Sequence, residues 1–166
     1  MIELTIGSLL SGNYEDPGDL YQLYVIRDHE SDLIFYVGQS CAGVTDRVLQ
    51  HLGKSRRFPT EDSVTRLVYE AMPRSLAWKV QFYRQDEVLP EYMAKVVKGM
   101  TKEKWEAGFR AMGVNLPWHE EDGQDRVWYN DLDKAEEMLI EKLRPCLNVT
   151  HNANRRKLPP EYSFWL

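Results

Sequence analysis

The alternation of hydrophobic and polar positions predicts three strands. Leu20–Ile26 (LYQLYVI) is rich in aromatic and β-branched residues. In a strand it puts Tyr21, Leu23 and Val25 on one face and Gln22, Tyr24 and Ile26 on the other. After the polar RDHESD comes Leu33–Gly38 (LIFYVG), a second strand, and a hairpin is the simplest connection. Trp78–Tyr83 (WKVQFY) alternates and reads as a third strand, with Met1–Ile6 a short edge strand and Gly12–Gly18 a loop. Between these segments the period lengthens to that of a helix. Val44, Val48 and Leu52 recur every four residues, which predicts a helix over Val44–Leu52 that follows Gly43 and stops at Gly53. A second helix runs from about Glu61 to Met72, with Val64, Leu67, Val68 and Ala71 inward and Pro73 ending it.

The stretch from Val88 to Asn130 reads as an addition to this framework. Pro90 opens one helix up to Gly99, Thr101 caps another that ends near Gly113, and PWHEEDGQD is a polar, acidic loop. The clearest helix starts at Asn130 or Asp131 and ends at Pro145, and residues 149–166 form a tail with the basic cluster Arg155, Arg156 and Lys157. These elements predict one α+β domain over residues 1–166, a small three-stranded, mainly antiparallel sheet flanked by helices, with a helical insertion at 88–130. A length of 166 residues suits a single core.

Composition narrows the function classes. No run of about 18 apolar residues occurs, so no membrane span is expected. The segment MIELTIGSLL lacks the basic region and cleavage site of a signal peptide. The two cysteines, Cys41 and Cys146, lack metal or redox spacing and are expected as reduced thiols in a cytoplasmic protein. A net charge of −5 argues against a protein that coats nucleic acid. It leaves room for an enzyme whose positive charge is local.

One residue breaks the pattern of the last helix. Leu132, Glu136, Leu139, Ile140 and Leu143 share one stripe, and Glu136 alone is polar. Burying an unpaired carboxylate costs several kcal/mol (roughly), so Glu136 is expected to be paired, protonated or bound to a cation. A salt bridge at the edge of the core is the simplest reading of the stripe alone.

Five stretches then resemble, in order, the motifs of the GIY-YIG nucleases. QLY at Gln22–Tyr24 and YVG at Tyr36–Gly38 resemble the two half-motifs that name the family. QSCAGVTDRVLQHL resembles its loop and helix, with an arginine at Arg47 and a histidine one turn later at His51, as in GIY-YIG restriction enzymes and several homing enzymes. EEMLIEKLRPCLN resembles the final motif, which selects Glu136, Pro145 and Asn148. The resemblance covers about half the chain. Gln22 stands where the family prefers glycine, and residues 88–130 have no counterpart in the minimal fold.

The resemblance implies the GIY-YIG fold and a metal-dependent DNA endonuclease. Glu136 would anchor one Mg²⁺ or Mn²⁺ ion per site, because a hard cation needs oxygen ligands and tolerates waters beside a single carboxylate. Tyr24 would act as general base on water with His51 behind it, and Tyr36 is the runner-up. Arg47 and the metal would lower the Tyr24 pKa, and Arg47 would clamp the phosphate. Gln39, Lys54, Arg56, Arg57 and Asn148 are expected at the substrate, with Asn148 leaning to a structural or phosphate-orienting role. Without the motifs, Tyr24 and Tyr36 would be plain strand aromatics, and Arg47 and His51 a solvated helix face. A catalytically inactive GIY-YIG-like module that binds DNA or a protein is the rival reading. A homodimer is one route to a double-strand cut, and an RNA target stays open.

Overall fold

Hydrophobic segments pair edge to edge to make the central sheet. The computed structural model describes residues 1–54, 62–89, 95–96, 101–111, 118–121, 124–127 and 132–162. Strands β1 (Ile2–Thr5), β2 (Tyr21–Asp28), β3 (Leu33–Gln39) and β4 (Lys79–Arg84) lie in the order β1-β4-β2-β3, with every neighbouring pair antiparallel. The α+β class holds. The main sheet has four strands, not three, because the edge segment pairs along β4, with Ile2 opposite Phe82 and Thr5 opposite Lys79.

Both faces of this sheet are covered. Tyr24, Ile26, Phe35, Val80 and Phe82 form one core with α1 (Ile6–Ser11), α2 (Val44–His51) and α3 (Ser63–Glu70). Leu23, Val25, Ile34 and Val37 form a second core with Leu132, Ala135, Leu139 and Ile140 of α6 (Leu132–Leu143). The expected faces of β2 hold from Leu23 to Ile26. Tyr21 departs from them and packs with the Tyr24 core, because the register shifts between Tyr21 and Leu23. A bulge inserts one residue and so inverts the alternation beyond it.

Two short helices carry no periodic signal that the sequence reading could use. The side chain of Thr5 accepts the Ser8 amide to cap α1, and α4 (Gln85–Val88) follows β4. The expected helical insertion is only partly helical. Helix α5 (Lys102–Ala111) forms as expected. However, β5 (Lys95–Val96), β6 (Trp118–Glu121) and β7 (Gln124–Val127) make a second antiparallel sheet in the order β5-β7-β6. Residues 95–96, expected in a helix, are strand, and the described residues of the expected acidic loop, 118–121 and 124–125, are paired strand. A polar ribbon shows no apolar alternation, and partner-strand pairing overrides such weak local preference. The expected start of α6 at Asn130 or Asp131 lies outside the described residues.

The chain leaving α6 closes the outer edge of β3. The Cys146 amide donates to Ile34 and the Leu147 amide to Phe35, each at 2.9 Å. The Asn148 side chain accepts from the Val37 amide at 2.9 Å and donates to the Val37 carbonyl at 2.8 Å. A bare edge strand invites pairing with other chains, and this segment removes that opportunity. Cys41 and Cys146 are free thiols. Among the described residues, no helix is long and apolar enough to cross a membrane.

Candidate active site

Antiparallel pairing places Tyr24 opposite Gly38 and Ile26 opposite Tyr36, so both phenols rise from the sheet face that carries α2. Their ring centroids lie 6.2 Å apart. Gly38 makes this arrangement possible. A Cβ at Gly38 would sit 2.3 Å from the Tyr24 hydroxyl oxygen and 2.4 Å from its Cζ, far inside van der Waals contact. The glycine that ends YVG is therefore a packing requirement of the Tyr24 ring.

Helix α2 brings in the next residues. Val44, Val48 and Leu52 pack inward, and this orientation carries His51 into the core, where it is 3% exposed. The expected alternative of a solvated helix face fails for His51 and holds for Arg47, which is exposed. The Tyr24 hydroxyl lies 2.7 Å from His51 Nε2. The Tyr36 ring meets the His51 ring edge-on, with centroids 4.9 Å apart. Arg47 donates to the Gln50 side chain at 2.7 Å.

The other nitrogen of His51 identifies a residue that the sequence reading missed. His51 Nδ1 is hydrogen-bonded to the Asp62 carboxylate. The same carboxylate accepts the Thr65 amide at 2.9 Å and caps α3. The available signal was an aspartate directly before the helical run SVTRLV, an ordinary capping pattern. It pointed to a helix start and not to a site. Asp62 is acceptor-only when ionised, so the hydrogen between the two lies on His51 Nδ1. In a neutral ring, Nε2 then keeps a lone pair for the Tyr24 hydroxyl hydrogen.

Glu136 arrives from the opposite side of the sheet. The stripe on α6 buries Leu132, Ala135, Leu139 and Ile140 and leaves Glu136 half-buried. Burial pushes its carboxyl above the usual carboxylate range, and Asp133 adds to this. The Gln39 side chain, His151 and Arg47 act in the opposite direction. Gln39, at the end of β3, also donates to Asp133. Gln39 thus links the sheet to the first turn of α6.

Burial drives the Tyr24 phenol well above its ordinary value. Tyr36 adds to the rise, Arg47 opposes it, and Glu136 and Asp62 raise it further. The sequence reading expected a lowered value. Desolvation decides the sign, because Tyr24 is 1% exposed. Tyr36, half-buried, is raised by burial and by Glu136, with Arg47 again opposing. These mutual effects place Tyr24, Tyr36, Arg47, His51, Asp62 and Glu136 in one electrostatic neighbourhood. Compared with known proteins, the chain matches no family model, no curated protein and no solved structure.

The expected substrate residues fall into three groups. Lys54 is exposed just after α2, while Arg56 and Arg57 lie outside the described residues. Gln39 stands beside Glu136. Asn148 is committed at both ends of its amide to the Val37 backbone, the structural side of the two roles expected for it. At the position where the resembled family has glycine, Gln22 is 5% exposed, and its buried Nε2 finds no partner among the described residues.

Proposed function

We propose that this protein is a divalent-metal-dependent endonuclease that hydrolyses DNA phosphodiester bonds at a GIY-YIG-like site. One observation carries the reading: the buried Tyr24–His51 hydrogen bond at 2.7 Å stands within electrostatic reach of Tyr36, Arg47 and Glu136. A tyrosine and a histidine inside a core need no such charged neighbours for packing. Hydrolysis of a phosphodiester needs a base, a cation for the phosphate and a carboxylate for a metal.

The residues present fit a hard divalent ion. Among the described residues no three His, Cys, Asp or Glu side chains gather as a metal site. Glu136 is the one proposed carboxylate ligand, which suits a cation that completes its shell with water and substrate oxygens. Gln39 and Asp133 stand beside it. When bound, such an ion supplies Lewis-acid stabilisation of charge on the phosphate.

The chain's own groups divide the remaining work. Arg47, exposed beside the phenols, offers a guanidinium to the scissile phosphate. Tyr24 holds its proton firmly, so it acts as a base only in concert with His51. Water gives a proton to the Tyr24 oxygen while the Tyr24 hydroxyl hydrogen passes to His51 Nε2. The resulting hydroxide attacks phosphorus, the bond to the leaving oxygen breaks, and that oxygen takes a proton from solvent. Tyr36, the less buried phenol, orients the attacking water.

The test is supercoiled plasmid incubated with purified protein and Mg²⁺ or Mn²⁺. Nicking is expected, and Glu136→Gln and Tyr24→Phe should each lower the rate by about 10²-fold or more, the scale of a lost transition-state stabiliser. Undiminished nicking by Glu136→Gln would overturn the metal anchor. A wild-type protein that binds DNA and leaves it intact would favour the non-cutting module.

A further inference from the structure

We infer that Asp62 is a positioning residue of this site: by accepting the His51 Nδ1 proton, it fixes the ring so that Nε2 can take the proton of Tyr24. The inference rests on the nuclease reading for its consequence and on geometry alone for its premise. The Asp62 carboxylate uses one oxygen for His51 Nδ1 and the other for the Thr65 amide at the start of α3. Thr65 in turn donates its hydroxyl to the His51 carbonyl, which ties the start of α3 to the end of α2. One acid therefore holds the backbone around His51 and the ring itself.

The proton count gives the direction. Asp62 accepts and cannot donate, so His51 Nδ1 carries hydrogen and the Tyr24 hydroxyl donates to Nε2. When Nε2 takes that proton the ring becomes an imidazolium, and the Asp62 carboxylate offsets its charge inside a low-dielectric core. The groups that meet His51 are Tyr24 from β2, Tyr36 from β3, and Asp62 and Thr65 at the start of α3, while Arg47 and Glu136 act on the two phenols. Among these acids, Asp62 is the one bonded to the ring.

An alternative role exists, because Asp62 caps a helix and a cap alone would explain its place. Asparagine separates the two roles. It caps a helix about as well as aspartate. Presented to His51, its amide NH₂ donates, which forces the hydrogen onto Nε2 and reverses the bond to Tyr24.

The experiment uses the full chain with ¹⁵N-labelled histidine. The His51 resonances are assigned by their loss in His51→Gln. In the wild type the ring is expected in the Nδ1–H tautomer, in Asp62→Asn in the Nε2–H tautomer. Nicking by Asp62→Asn at pH 7 should fall by about 10²- to 10⁴-fold, as when the orienting acid of a histidine base is neutralised. Its thermal midpoint should stay within a few degrees of wild type. Asp62→Ser, which also caps, should show the same loss of rate. An unchanged tautomer in Asp62→Asn, or a wild-type rate in both variants, overturns the inference. If the wild type itself does not nick DNA, the nuclease reading fails and the tautomer measurement still decides the position of the proton.

Discussion

At the scale of single residues, the site is a problem of crowding and proton location. Tyr24 stands over Gly38 with no room for a methyl group. Gly38→Ala should therefore displace the ring and destabilise the fold by about 1–3 kcal/mol, the usual range for an overpacked core. A thermal or urea unfolding series reads this directly, and an unshifted midpoint would show that the ring can move aside. Asp62 gives a prediction in pH. Burial disfavours its carboxylate, but His51 and the Thr65 amide and hydroxyl more than offset this and hold it below the ordinary range. A depressed folded-state value stabilises the fold above the unfolded value, near 3.9 (roughly), and the gain is lost as pH falls through the lower folded value. The stability gap between wild type and Asp62→Asn should thus shrink as pH falls below about 4. Chemical unfolding across that range measures it. Glu136 and His51 were legible in the sequence, one as a polar break in an apolar stripe and the other by resemblance. Asp62 was not, because a cap and a histidine partner look alike in one dimension. The rise of the Tyr24 phenol was also hidden, since burial depth is a tertiary quantity.

At the scale of elements, the central framework was readable and its edges were not. Strands β2, β3 and β4 and helices α2, α3 and α6 have buried faces that impose a period. The six-residue α1 and the four-residue α4 are too short to show one. The β5-β7-β6 sheet sits in a segment expected to be helix and loop, because strand pairing there has no apolar alternation to announce it. The segment after α6 matters more than its irregular sequence suggests. Asn148 bonds both backbone groups of Val37 and so substitutes for a neighbouring strand. Asn148→Ala should lower unfolding stability by about 1–3 kcal/mol, the scale for stranding paired polar groups. Urea denaturation tests this, and a change near zero would mean that water replaces the amide at that edge.

At the scale of the whole molecule, the charge of −5 and the proposed DNA partner require that cations be local. Arg155 and Lys157 are exposed in the segment that follows α6, and the Arg156 amide donates to the Arg144 carbonyl at the end of that helix. If this surface meets phosphate, Arg155→Ala and Lys157→Ala should each weaken binding across unrelated sequences and reduce the log–log salt slope by about 1. Fluorescence anisotropy over a salt series measures both, and parallel salt slopes would place DNA elsewhere. The order of the pieces along the chain has a further consequence. Tyr24, Tyr36 and His51 lie early, and Glu136 comes on the last described α-helix, on the far side of the sheet. During translation the phenols and imidazole leave the ribosome well before the carboxylate that would complete the site. Under the proposed nuclease reading, a nascent or prematurely terminated product lacking α6 would lack the metal anchor and could not cut.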